Sequence, residues 1–325
     1  MKAIHISLPG GPEVLQLTER EKPKAKADQV LIKIKAAGIN RPDVLQRKGG
    51  YPAPKDAPAD IPGLEVAGVI EEVGENVTSF KPGDRVCALI SGGGYAEYTV
   101  APSLQCLPIP HKLSFEEAAS LPETFFTVWN NIFDIGQFKP GETVLVHGGS
   151  SGIGVAAIQM VKAMGGNIIV TAGNTAKCQT CEKLGADLAI NYREEDFESG
   201  VNSHTAGKGV DIVLDMIGGN YTEKNVRILK SKGRLVMINA MNGKRGTIDL
   251  LRVMSNQLVV TGSTLRSRSE AYKGSIAKNL LQHVWPLIPS QIQPVIYQTF
   301  PLAEAEAAHR LMESSEHIGK IILTI

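Results

Sequence analysis

The chain has 325 residues, with 34 Lys and Arg against 33 Asp and Glu, and its formal charge of +1 gives no electrostatic reason to expect nucleic acid or an anionic membrane as a partner. At 43% hydrophobic and 21% charged residues the composition excludes a disordered or fibrous chain, and the length predicts two domains. No run of about 18 apolar residues occurs, and the opening MKAIHISLPGGPEV meets Pro and Gly before a signal-peptide core can form, so no membrane segment and a cytoplasmic location are expected.

Roughly the first 110 residues are rich in Pro, Gly and short β-type runs: VLIKIKAAGI, VAGVIEEVG, DRVCALI and YAEYTV, parted by turn signals at 81–84 and 92–94. Ser114 and Glu117 then form an S-x-x-E capping box that opens a helical region. From Glu142 the pattern alternates strand and helix: TVLVHGG, SGIGVAAIQMVKAMG, NIIVTAG, NTAKCQTCEKLGA, DLAINY, VDIVLDMIGG, NYTEKNVRILKSKG, RLVMINA and QLVVTGSTL. Continuous apolar strands between amphipathic helices predict an α/β, Rossmann-type doubly wound parallel sheet over residues 122–263. The tail (KNLLQHVWPLI, IQPVIYQTFP, LAEAEAAHRLMESSE, GKIILTI) is too short for a domain and is expected to complete the first one. That β-rich domain is therefore discontinuous, at 1–121 and 264–325. Cys178 and Cys181 form a C-x-x-C, but no second ligand pair accompanies them, and the stretch reads as a plain helix ending at Gly185.

HGGSSGIG, residues 147–154, sits between a buried strand and an apolar helix, the layout a dinucleotide pyrophosphate requires. Gly149 takes the first position of G-x-G-x-x-G, Ser151 replaces the second glycine, and Gly154 takes the third. Ser150 belongs to the same loop, and the backbone N–H groups of Ser151, Gly152 and Ile153 are expected to point at the phosphates, aided by the helix dipole. Reading the string as the opening loop of a short-chain dehydrogenase fails. The only Y-x-x-x-K is YPAPK, upstream and with two prolines that forbid a helix.

An NAD site carries an acid about 20 residues past this loop to hold the ribose diol. No acid stands between Glu142 and Glu182; the second strand ends in Gly173, Asn174 and Lys177, and Tyr192 follows the third. Without a carboxylate to repel it, a 2′-phosphate would be accepted, with Lys177 supplying charge and Tyr192 a hydroxyl, so NADPH is the expected cofactor. The competing reading of Lys177 is a solvated helix lysine.

With these parts in order, the whole chain resembles the medium-chain dehydrogenase/reductase superfamily. The carriers are AAGINRPDVLQRKGGYP, PGLEVAGVIEEVG, FKPGDRV, GGGYAEY, LPETFFTVW, HGGSSGIG and HIGKIIL. NRPDVLQRKGGY, NYREEDF and STLRSRS are most similar to its zinc-independent NADPH:quinone oxidoreductases, of the zeta-crystallin-like, tumour-suppressor-inducible type. The resemblance implies a GroES-like fold for the discontinuous domain and NADPH oxidation coupled to quinone reduction, in this branch often one electron at a time to semiquinones. The zinc alcohol dehydrogenases of the superfamily need an early Cys and a G-H-E histidine; AAGIN has no Cys, Leu64 stands at the histidine, and the four-cysteine loop is missing. No metal is expected.

For the site, the resemblance points to Tyr51 as the tyrosine lining the cleft beside the nicotinamide and to Ser151 as a loop serine able to bond cofactor or quinone; these two are the candidate catalytic residues. A loop tyrosine with a buried ring and a plain glycine substitute are the competing readings. It also places Asn40 toward the nicotinamide ribose and Thr127 against the ring. Lys320 and Arg266 are expected within reach of phosphate or ribose, with solvated basic residues as the competing reading. Asp43 and Arg47 are expected to form local salt links, and His147 to pack or bond backbone. His5, His111, His283, His309 and His317 lack metal-like spacing. Two other activities stay open, enone or alkenal reduction on the same fold and NADPH binding without turnover. QLVVTGSTL is expected to end the parallel sheet, and two such edges would pair in a homodimer or a higher homo-oligomer.

Overall fold

The computed structural model describes all 325 residues. They divide into two compact units, Met1–Phe126 with Leu265–Ile325, and Thr127–Thr264. The first boundary falls later than position 121 because the helix Pro122–Val128 runs on through it.

The second unit is a six-stranded parallel sheet. From edge to edge its strands are Leu188–Asn191, Asn167–Ala172, Thr143–His147, Val210–Asp215, Leu229–Met237 and Val259–Gly262. Numbered by appearance this is the order 3-2-1-4-5-6, the doubly wound arrangement whose ligand crevice lies beyond the carboxyl ends of strands one and four. Val144, Leu145 and Val146 are fully buried, as are Ile168, Ile169 and Val170, which is why these runs read as unbroken apolar strings.

One expected helix is shorter than its pattern. It covers Tyr221–Arg227, and Leu229 already pairs with Val210. The next matched pair is Ile212 with Arg234, so the intervening residues form an irregularity, with Lys232 in the left-handed region at φ 61°. The final strand ends the sheet, as expected.

The first unit centres on a seven-stranded sheet. Its long strand Gln29–Ile39 is antiparallel to Glu65–Val73, to Tyr98–Pro102 and to the C-terminal Lys320–Thr324. That last strand carries Ile296–Pro301 in parallel at the edge, so the tail does complete the N-terminal fold. Beyond Glu65–Val73 lie Arg85–Leu89 and Cys106–Pro108, and Lys2–Ile6 with Leu15–Glu19 make a separate hairpin sheet. The helix Ala305–Ser314 lays Ala305, Ala308 and Met312 on the core formed by Ile32, Ile34, Val66, Ile321 and Leu323.

Candidate functional site

In the Thr127–Thr264 unit the glycine loop leaves the strand Thr143–His147 through Gly148, at φ 75°. A Cβ on Gly149 would lie 2.5 Å from Val170 Cβ, and one on Gly154 would lie 2.4 Å from Gly149 Cα. The first and third glycines therefore let strand, loop and helix close on one another. Ser151 is the N-cap of the helix Gly152–Ala163, and its Oγ accepts from Gly154 N at 3.1 Å.

A backbone bond in the turn before the helix corrects one expectation. Ser151 N donates to Gly148 O at 3.0 Å, so it does not face a ligand. The N–H groups of Gly152 and Ile153, in the first turn, have no acceptor within the helix and remain to bind an anion. The Ser151 hydroxyl accepts a bond but keeps its own proton to donate. Ser150 is buried in the same loop. After the fourth strand, Met216 Sδ lies 3.1 Å from the Cβ position of Gly148, marking the crossover between strands one and four.

The expected nucleotide-selecting residues also converge. Asn174 caps the helix Thr175–Lys183, its Oδ1 accepting from Lys177 N at 2.9 Å, so Gly173, Asn174 and Lys177 share one turn. Tyr192 N donates to Ala172 O at 3.1 Å, and the Tyr192 hydroxyl lies 3.0 Å from the Cβ position of Gly173. Arg193 was not foreseen. Its Nε lies 3.7 Å from that same Cβ position, and its place inside NYREED, beside two acids, hid it.

Cys178 and Cys181 lie on the same helix as free thiols, and burial pushes Cys181 up to about 12. His147 is buried and bonds side chains rather than backbone. Its Nε2 meets Asn225 Oδ1 at 2.8 Å and its Nδ1 meets Thr171 Oγ1 at 3.1 Å. Burial holds it below the ordinary histidine range. Thr127, the first residue of this unit, is half-buried, and its carbonyl accepts from Asn131 Nδ2 at 2.8 Å.

In the other unit, Lys320 does not reach outward. Its Nζ is 2.6 Å from Glu65 Oε1, 2.5 Å from Asn40 Oδ1 and 3.1 Å from Ile39 O, which engages all three ammonium protons. Asn40 Nδ2 donates to Glu65 Oε1 at 2.9 Å, and Glu65 Oε2 accepts from Glu123 N at 2.8 Å. Arg266 is likewise engaged, donating to Tyr51 O, Ser91 O and Gln46 Oε1, with its guanidinium 5.2 Å from the Tyr51 ring centroid. Neither cation has the free reach toward phosphate or ribose that the sequence suggested, because each is drawn to acceptors far away along the chain.

Asp43 and Arg47 form no link with each other. Asp43 accepts from Asn40 N, Gly63 N and the Tyr95 hydroxyl, while Arg47 pairs with Glu313 at 2.8 Å and meets His309 at 3.1 Å. Burial raises Asp43 to about 6 and lowers His309 to about 3. Burial, and then Glu65, raise Glu123 to about 8. Burial, and then Glu123, also raise Tyr51.

The family description "Zinc-binding dehydrogenase" matches residues 152–280, and "Alcohol dehydrogenase GroES-like domain" matches residues 26–111. The human quinone oxidoreductase is 34% identical over 333 residues, covering 100% of this chain and 98% of its own. The chain belongs to the quinone oxidoreductase branch of the medium-chain dehydrogenase/reductase superfamily. Among solved structures of this superfamily, Escherichia coli quinone oxidoreductase complexed with NADPH superposes with a TM-score of 0.88 at 31% identity, and an NAD-dependent alcohol dehydrogenase with 0.87 at 34%, each covering 100% of both chains. The chain is thus an oxidoreductase of a family that works with a nicotinamide cofactor, and the glycine loop fits one.

Zinc, which the first description names, finds no donor set here. Leu64 is buried at the expected histidine, Glu65 is neutralised by Lys320, and no group of three His, Cys, Asp or Glu side chains is assembled anywhere.

Proposed function

We propose that this chain is an NADPH-dependent quinone reductase that works without a metal. The observation that supports the cofactor best is the end of the second strand. There the strand runs into Gly173 and Asn174 with no acid in the sequence between Glu142 and Glu182, Lys177 belongs to the same capping turn, and the Tyr192 hydroxyl and Arg193 Nε lie close to Gly173. Gly152 and Ile153 N–H hold the pyrophosphate, and Lys177, Tyr192 and Arg193 hold the 2′-phosphate.

NADPH supplies the reducing hydride when bound. The Tyr51 phenol donates a hydrogen bond to the quinone oxygen, and Arg266 fixes its backbone and ring. The Ser151 hydroxyl proton, free because its oxygen is the accepting partner of Gly154, is left to donate to the cofactor held at the glycine loop. A quinone suits such a site, since it accepts electrons without a strongly polarising cation.

The edge strand Val259–Gly262 and the neighbouring helix Leu250–Asn256 expose Val259, Leu250, Leu251 and Met254. This supports pairing of two copies along that edge, which sedimentation at equilibrium tests.

NADPH oxidation is measured with phenanthrenequinone, a benzoquinone and an enone in parallel. Turnover with the quinones, lowered severalfold in Tyr51→Phe without loss of NADPH binding, is the expected result. Turnover with the enone alone would overturn the quinone reading, and none at all would leave a cofactor-binding protein.

A further inference from the structure

A cavity of about 470 Å³ opens wholly within the Met1–Phe126 and Leu265–Ile325 unit, and neither Tyr51 nor Asn40 lines it. Its volume lies in the range of about 300–1,000 Å³ typical of small-molecule sites. Ile61, Ile90 and Pro58 supply apolar wall.

Lys273 lines the inner end and is only 4% exposed. Its ammonium donates to Ser91 Oγ at 3.1 Å and Arg266 O at 3.0 Å, both neutral oxygens, which leaves the third proton for the cavity. Arg266, half-buried beside it, also has only neutral acceptors. The acids of the lining, Glu21, Asp56 and Glu270, all lie on exposed residues at the mouth. Burial lowers Lys273 in spite of the pull of Asp56, Glu123 and Glu270, so these carboxylates, none of them hydrogen-bonded to it, do not make good the lost hydration. A buried cation held only by neutral groups is costly, and an incoming anion relieves that cost.

A second observation is independent of charge. Gln105 lines the same cavity at 2% exposure, and its Oε1 has no hydrogen-bond partner. The two polar residues lie on touching elements, since Leu104 Cβ is 3.0 Å from the Cβ position of Gly274. A buried acceptor left open calls for a donor.

We propose that this cavity is a binding site for a small organic acid. Its carboxylate accepts the third proton of Lys273 with the Arg266 charge beside it, a hydroxyl on its body donates to Gln105 Oε1, and its apolar part rests on Ile61 and Ile90. Arg266 also holds Tyr51, so an occupant lies one side chain away from the candidate catalytic phenol.

Calorimetric titration of the full chain, with NADPH present, uses 3-hydroxybenzoate as the probe with both groups, its hydroxyl being out of reach of its own carboxylate. Benzoate lacks the hydroxyl, benzyl alcohol lacks the charge, and inorganic phosphate lacks the apolar body. 3-Hydroxybenzoate is expected to bind at least tenfold more tightly than benzoate, and the other two not to bind. Lys273→Met is expected to weaken 3-hydroxybenzoate at least tenfold, and Gln105→Leu to reduce it to the benzoate level. No 3-hydroxybenzoate binding up to about 10 mM, equal binding by phosphate, or binding indifferent to Lys273→Met would overturn the proposal. Should Lys273→Met fail to fold, crystals of the wild type soaked in 4-bromobenzoate decide it. Bromine beside Ile61 and Ile90 supports the site, and bromine elsewhere or nowhere rejects it.

Discussion

Lys320 Nζ and Glu65 Oε1 face each other at 2.6 Å, with side chains only 7% and 0% exposed. The pair stands next to Leu64, where a zinc-using member of the superfamily needs its histidine, and it also binds both polar atoms of the Asn40 side chain. An internal cation thus neutralises the carboxylate without any metal, and the same pair ties the C-terminal strand to the start of the helix Arg41–Arg47, four residues before Tyr51.

Removing one partner of a buried pair leaves the other charge uncompensated. Lys320→Met is expected to cost about 3–5 kcal/mol of unfolding free energy, read from denaturant midpoints. The double variant Lys320→Met/Glu65→Gln should recover part of that loss. A loss under about 1 kcal/mol, the range of an exposed pair, would show that the two charges are not held as described.

Glu123 gives a pH dependence of defined sign. Its carboxyl titrates near 8 in the folded chain against an ordinary value of 4.5. Between those values the folded state holds a proton that the unfolded state has released. The contribution of this group to stability therefore falls as pH rises through that window. Glu123→Gln should accordingly gain stability relative to the wild type, with a difference that grows from about pH 5 to about pH 8 and is flat above. A pH-independent difference would contradict the raised value.

Capping and chemistry at Ser151 separate by substitution. Ser151→Ala should lose about 1 kcal/mol of stability with the cap. Ser151→Asn keeps a capping oxygen but no hydroxyl, so it should keep stability while quinone turnover falls. Full turnover in Ser151→Asn would reduce this residue to a helix cap.

Gly154→Ala tests the loop itself. The added Cβ meets backbone of Gly148 and Gly149 within 2.5 Å, so the helix must shift at a cost of about 1–3 kcal/mol. NADPH binding, followed by quenching of protein fluorescence, should weaken at least tenfold. Unchanged affinity would place the cofactor elsewhere.

The parallel sheet was legible because strands buried on both faces appear as unbroken apolar runs, and Ser114 with Glu117 announced their cap through local bonds alone. Asn40 and Lys320 meet across 280 positions and Arg47 and Glu313 across 266. No local pattern carries such pairings, so Lys320 and Arg266 read as free cations when they are structural ones. The helix after Gly219 was read too long for a related reason. Its last turn was decided by Leu229 pairing with Val210. Nothing local in NYREED distinguishes Arg193, and the chain reversal after Asn191 is what turns it toward Gly173.

The dissociation constants of NADPH and of NADH, measured for the wild type and for Lys177→Ala, test the cofactor assignment most directly. The wild type is expected to bind NADPH at least tenfold more tightly, and Lys177→Ala to erase most of this difference by weakening NADPH alone. Equal affinities in the wild type, or equal losses for both nucleotides in the variant, would contradict it.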